Sequence, residues 1–550
     1  MFLCLFFLIT NGVDSDTTTI DSLQKMRYEI PKIVDFSTTG TLDSSLNQTR
    51  VIEPVIFLSG FYDIFQHIPY LLIERVYMSN LLSPYPSTIF INSHYLDNYF
   101  LNFNFITFPV NFIKSFTLNK KYTISGVNII DINTKFNSYD QPYSCLYFTL
   151  FGLNTIYNID FTRAITNSTG FYLGGHYARQ YKSLERLYLS TKGGYANIYY
   201  NQFMPMRLDI ILADNSYDTI INFDFSDIAL TGGKDFYKFL IFRTAIKLCD
   251  TVDENQFLTY GTQHKILFYL AGFENIFEIC ALENQFNPAK FKNNSIVFTQ
   301  NTNYKFRNVI AGVGYDIDYG ANKIYLEPAA RLGFQILSDA EIFVRSGLFN
   351  RGADFVARYG NEKFIHRFVN IKGNPEIKDE AHFHREIGIV LKNSVINLYN
   401  SRIKNQIIYQ LEGTGSYSAV NIDNTITGIE GLFVFPTIKG FSATGVCNYL
   451  LYSDFPLEIP DLFVKLVLNW QRKTMRSEVN IFTRFNFIDK RYDASGNSYE
   501  AFYTISPGLT IEFLTFNLSV IIENVTDTRA GDFPNMVRNF GMEIKWEFWD

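Results

Sequence analysis

The chain has 550 residues, of which 17% are aromatic and 19% charged, and its formal net charge is −6. No basic run lies within it, so the electrostatic footprint of nucleic-acid binding is missing. After the N-terminus no apolar run reaches the roughly 18 residues of a helical membrane span, and a mean hydropathy of −0.01 leaves the aromatic excess to be explained by patterning.

Taken in chain order, Phe2 to Ile9 form an apolar core followed by polar residues from Thr10, which reads as a signal peptide over 1–14. No Lys or Arg precedes that core, which points to a true start a few codons upstream. Residues 15–50 are rich in Ser, Thr and Asp and read as a flexible periplasmic lead-in. Residues 51–136 mix short apolar runs with a helix-like piece around Tyr62 to Ile73 and several prolines, the pattern of a small α/β domain. Four cysteines remain beyond the signal (Cys145, Cys249, Cys280 and Cys447). They are too dispersed for a metal motif or a disulfide scaffold and read as small apolar wall residues.

From 145 to 550 the pattern is strand, turn, strand. Leu332, Phe334 and Ile336 alternate with Arg331, Gly333 and Gln335, and Val479 to Phe487 alternate with Asn480, Phe482, Arg484 and Asn486. Ile221, Phe223 and Phe225 alternate with Asn222, Asp224 and Ser226. Asp493–Asn497 and Thr231-Gly-Gly-Lys234 read as turns. Residues 262–285 alternate poorly, and their edges are not legible. The alternation predicts an all-β fold, a large antiparallel transmembrane barrel in which each span takes roughly 18 to 22 residues, hence about 18 to 22 strands. A barrel that wide cannot be filled by its own side chains. Inward charges at Arg331, Arg484, Lys465, Glu543 and Lys545 would then select solutes.

At the C-terminus Phe540, Met542, Ile544, Trp546 and Phe548 fall on one face of a strand, while Gly541, Glu543, Lys545 and Glu547 fall on the other. Such a strand would aggregate at the edge of a soluble sheet but suits a closed barrel with lipid on one side and water on the other. It resembles the C-terminal assembly signal of bacterial outer-membrane barrels. That resemblance implies a bacterial outer-membrane location, with membrane lipid and the barrel-assembly machinery as partners.

Four segments of 51–136 carry a second resemblance. Tyr62-Asp-Ile-Phe-Gln-His-Ile-Pro69 contains Asp63 and Pro69, and Thr88-Ile-Phe-Ile-Asn-Ser-His-Tyr-Leu96 contains Ile91. Phe105 to Leu118 contains Pro109, and Ser125-Gly-Val-Asn-Ile-Ile-Asp-Ile-Asn-Thr-Lys135 contains Gly126, Asn128 and Ile129. In this order and spacing they resemble the plug domain of TonB-dependent outer-membrane receptors. Ile522-Glu-Asn-Val-Thr-Asp-Thr528 with Pro534 and Arg538 is similar to the end of that family's barrels. The resemblance implies uptake of a small ligand through a plugged lumen, driven by a TonB-type energy-coupling protein. The arginine-glycine motifs of working plugs are absent, and Thr17–Asp21 is the nearest approach to a TonB box. A passive porin and a structural or adhesive surface barrel are the alternatives.

No catalytic constellation stands out, and the chain is read as a non-enzyme without a cofactor. His382, His384 and Glu386 share one strand face and have the residue types of a transition-metal site, or of a solvated strand end. They close the charged stretch Arg351–Glu386, a candidate for a long extracellular loop or for lumen-facing charge. His176 reads as a lone histidine lining the lumen.

Overall fold

The computed structural model describes backbone strands between residues 38 and 134 and a barrel from 142 to 549, with side chains for most of 142–200 and 295–548 and for part of the stretch between. The first group forms a five-stranded sheet. Thr88–Ile91 runs parallel to Ile129–Thr134 and antiparallel to His94–Leu96, while Ile113–Asn119 pairs with Ile129–Thr134 and with Thr38–Thr41. Three of the four plug-like segments thus supply strands of one sheet. Thr38–Thr41, in the expected lead-in, forms its edge, as a Thr-rich run with high strand preference does when a partner lies beside it. Of Tyr62–Ile73 only Tyr62 is described, in a two-residue strand.

The barrel has twenty-two strands of eight to twenty-three residues, all antiparallel to their neighbours. It opens at Tyr143–Phe151 and closes where Asn539–Trp549 pairs back on that strand, Trp549 opposite Tyr143 and Gly541 opposite Phe151. A three-residue piece, Asn370–Lys372, adds a parallel pairing to Ser416–Ser418. The poorly alternating stretch resolves into Phe257–Leu270 and Phe273–Phe286, joined by Ala271-Gly272. Thr231–Lys234 is not a turn: it lies within Ile221–Tyr237, with Gly232 paired to Met206 on one side and Thr244 on the other. Two flanking ladders hold a glycine pair extended there, and the chain reverses only after Tyr237. Asp493–Asn497 lies outside the described residues; Arg491–Tyr492 and Ser498–Tyr499 on either side of it pair antiparallel.

Connections sort by rim. On the rim that holds the C-terminus each has two to five residues, among them Lys439-Gly440 between Ile438 and Phe441. Both turn residues take positive φ, 50° and 86°, as the right-handed twist of a tight hairpin demands. On the opposite rim seven connections have two to four residues, and the longest, 352–379, has twenty-eight.

The faces are equally distinct. Ile324, Leu326, Leu332, Phe334 and Ile336 of Lys323–Leu337 point outward and are exposed, while Glu327 on the inner face is buried. Aromatic pairs ring the short-turn rim, with Phe273 and Tyr304 centroids 4.5 Å apart and Phe441 and Trp470 6.3 Å apart. A second ring near the other rim includes Phe148 with Tyr157 and Phe485 with Tyr503. An apolar belt between two aromatic girdles is the outer surface of a membrane-spanning barrel.

Inside, aromatic rings lie flat over glycines of the neighbouring strand. A Cβ on Gly428 would meet the Tyr399 hydroxyl at 2.3 Å, and one on Gly508 would meet the Phe482 ring at 2.2 Å. Both are directly paired across the ladder. The glycine lets the ring cover backbone instead of projecting into the lumen.

Candidate functional site: the inner wall

Strand Glu380–Leu391 presents Glu380, His382, His384 and Glu386 to the lumen because residues two apart share a face. All four are buried. Glu380 accepts the Ile407 amide at 2.5 Å, and its other oxygen lies 3.4 Å from His382 Nε2. His382 stacks on Phe349 at 4.3 Å. His384 Nδ1 meets Ser401 Oγ at 2.5 Å, and its Nε2 lies 3.4 Å from Glu386 Oε2. Glu386 also accepts from Asn397 at 3.2 Å and forms an ion pair with Arg345. These residues are therefore neither a loop nor a solvated strand end. Each histidine is served by its own carboxylate, and among the described residues no three such groups converge on a point that would hold a metal ion.

A second cluster occupies the wall on strands Leu187–Tyr200 and Met206–Tyr217. Asp209 Oδ1 accepts from Tyr195 at 2.5 Å, Asn197 at 2.7 Å and Arg207 Nε at 2.9 Å. Nothing in the sequence marks Asp209, which sits among Leu208, Ile210 and Ile211; only the register brings Tyr195 and Asn197 beside it. His176 lines the inner face, with Nδ1 2.5 Å from Asn158 Oδ1. An amide oxygen only accepts, so Nδ1 carries the proton and the buried Nε2 presents a lone pair.

The charged face of the last strand closes the barrel. Tyr143 donates to Glu547 at 2.7 Å, and Lys545 pairs with the same oxygen at 2.6 Å. Glu543 is buried, with Tyr147, Lys545 and Arg484 around it. Phe540 and Trp546 on the other face are exposed, and Met542, Ile544 and Phe548 are partly so. Arg331 pairs with Glu341 at 2.5 Å, whereas the Lys465 side chain lies outside the described residues. Of the plug-like residues, Ile91 ends one strand and Ile129 begins its parallel neighbour. Asp63, Pro69, Pro109, Gly126 and Asn128 lie outside the described residues.

The stretch Arg351–Glu386 divides into the connection 352–379 and the start of a strand. Asp379 anchors the connection: it accepts from Tyr325 at 2.5 Å, the Ala353 amide at 2.9 Å and Arg358 at 2.6 Å, and it pairs with Lys323. Burial pushes its carboxyl up, but the bonds from Lys323, Tyr325 and Ala353 and the charge of Arg358 outweigh this and hold it below the usual range. Asn421 fastens the same segment, accepting from the Lys378 amide at 2.8 Å. Ile377 and Ala353 pack on Ile407 and Ala419.

Among the described buried residues nine carboxylates and two arginines, Arg345 and Arg484, lie on the inner face, and the partly buried Arg207, Arg331 and Lys545 pair with carboxylates there.

No family model matches the sequence, and no curated protein does. Solved structures do match in fold. The siderophore receptor PirA from Acinetobacter baumannii superposes with a TM-score of 0.75 over 92% of this chain and 97% of its own, at 11% identity. A variant of the ferric enterobactin receptor PfeA from Pseudomonas aeruginosa reaches 0.76 over 96% and 100%, at 10% identity. The ferric preacinetobactin receptor BauA from Acinetobacter baumannii reaches 0.66 over 89% and 92%, at 11% identity. The chain thus has the fold of these receptors along nearly its whole length.

Proposed function

We propose that this protein is an outer-membrane transporter that takes up an unidentified small ligand through a plugged lumen, in the manner of TonB-dependent receptors. One observation carries the reading: many polar groups of the inner wall are out of contact with solvent. A 22-stranded barrel has a lumen that side chains cannot fill, and wall groups facing an open channel would be wet. Thr162, Asn197 and Gln406 are instead 0% exposed. The five-stranded sheet belongs to the same compact unit as the barrel, Asp35–Asp550, and supplies the polypeptide for a plug. We take 51–136 as the plug, with Thr38–Thr41 added at its sheet edge, and 145–550 as the barrel, extended back to its first strand at Tyr143. A TonB-type protein would supply energy, and the assembly machinery would read the terminal strand.

Planar-bilayer conductance of the full chain and of a variant lacking 51–136 tests the reading. A closed full-length barrel that opens on deletion supports gated uptake. Equal, large conductance in both would replace it with a passive porin, whose ion selectivity would then report the charge lining the lumen. The short connections on the long-loop rim favour that second reading, since seven of them have at most four residues with which to seize a ligand.

A further inference from the structure

We propose that the outer face of strands Glu380–Leu391 and Ser394–Glu412 carries a binding site for the phosphorylated headgroup of an outer-leaflet lipid. This rests on the placement of the barrel in a membrane and not on ligand uptake, so the two readings fail separately. The outer belt is mostly apolar, with outward-facing cations at Arg163, Arg179 and Lys192; Arg385, Arg402 and Lys404 likewise point outward and are exposed, here on two adjacent strands. The register sets Arg385 opposite Asn400, Phe383 opposite Arg402 and Ala381 opposite Lys404, so three cations cluster on two adjacent strands.

Depth identifies the partner. Arg402 and Lys404 stand eight and ten residues along their strand from Ser394, at the short-turn rim. A tilted strand climbs about 2.5 Å per residue along the barrel axis, which places both cations about 20 to 25 Å above that rim. The upper-girdle residue Tyr157 stands nine residues from Thr166 at the same rim, which is the same height. Lipid phosphates lie at the level of such a girdle. Arg385 starts lower, six residues from Leu391, within the apolar belt.

Its guanidinium lies over the Phe383 ring at 5.3 Å and donates to Asn400 Oδ1 at 2.8 Å, while Asn400 donates to Thr427 Oγ1 at 2.8 Å. The polar relay fixes the group and leaves its charge uncancelled. Among the described residues no carboxylate pairs with any of the three cations. Asp423, on the same outward face, accepts the Asn405 amide at 2.9 Å. Exposed Phe383, Ile387 and Leu398 flank the cations and offer acyl chains a surface beside the headgroup. A cation within an apolar belt is costly unless an anion reaches it, and a phosphate on an acylated sugar or glycerol supplies both halves.

The test uses the full chain, delipidated in detergent, with bisphosphorylated lipid A, the same lipid stripped of phosphate, and inorganic phosphate as probes. Retention is read by native mass spectrometry and by the shift in thermal unfolding. The bisphosphorylated lipid should bind, and R385Q/R402Q/K404Q should weaken it about a hundredfold, three surface charges each contributing about fivefold. The R402Q/K404Q variant leaves the Arg385–Asn400 bond intact and should lose about twentyfold, which decides the matter if the triple variant does not fold. Lys473→Gln, on the opposite rim, should change nothing. Equal binding of the dephosphorylated lipid, equal affinity for inorganic phosphate, or undiminished binding by the folded variants would each overturn the site.

Discussion

Strand Lys323–Leu337 shows both faces of the wall: Leu332, Phe334 and Ile336 meet lipid, while on the same strand Glu327 accepts the Asn350 amide at 2.6 Å and Arg331 pairs with Glu341 inside. The outer face needs only apolar residues, because a lipid tail has no shape or charge to satisfy. The inner face is specified pair by pair, because each buried polar group needs its own partner. The largest predicted effect breaks this inner rule. Arg345→Met leaves Glu386 buried without its cation and should cost about 3 to 5 kcal/mol of stability. Adding Glu386→Leu should restore most of it. Denaturant midpoints for folding into vesicles measure both, and a double variant as unstable as the single would contradict pairwise specification.

Next in size is an assault on the outer face. Leu332→Arg should cost about 2 to 4 kcal/mol if that residue lies near the bilayer midplane. Leu332→Phe should be close to neutral in the same assay, since lipid accommodates either shape. The inner face lacks this tolerance. Gly428→Val drives a side chain into the Tyr399 ring and should cost about 1 to 3 kcal/mol, readable as a lower unfolding midpoint. A neutral Gly428→Val would mean that the ring lifts into free space and that the lumen is emptier than the burial of Tyr399 implies.

This contrast explains what could be read from the sequence. Alternation at Leu332–Ile336, at Val479–Phe487 and in the last strand is set by the lipid-facing rule, which acts within one strand and is visible in it. The strand number followed from the length per span and fell at the upper end of the expected range. Residues 262–285 were illegible because the inner face also holds apolar residues there: Ile276 is buried inside while Ile279 faces lipid. Gly232 misled because a glycine pair marks a turn or a flat strand equally well, and only the two flanking ladders decide. The inner clusters were half legible. His382, His384 and Glu386 were found on one face, but their partners Ser401, Asn397 and Arg345 come from other strands, and a register is not written in either strand alone.

The smallest predicted effect tests whether pairwise specification extends past the membrane to the connection 352–379. Asp379 gathers Lys323, Tyr325, Ala353 and Arg358, and its carboxyl is held below the usual range. A depressed carboxyl contributes stability that is complete above the titration range of an unfolded aspartate, about pH 4. That contribution is lost as the pH falls through the lower, folded value. The connection should therefore stay anchored from neutral pH down to about pH 4 and loosen only in stronger acid. Proteolysis of 352–379 by an acid-active protease across that window reads the step directly. Asp379→Asn keeps the shape but not the charge; it should weaken the anchor by about 1 kcal/mol at neutral pH and flatten its acid step. If wild type and variant loosen together, the anchor lies in the packing of Ile377 and Ala353 on Ile407 and Ala419 and not in the carboxylate.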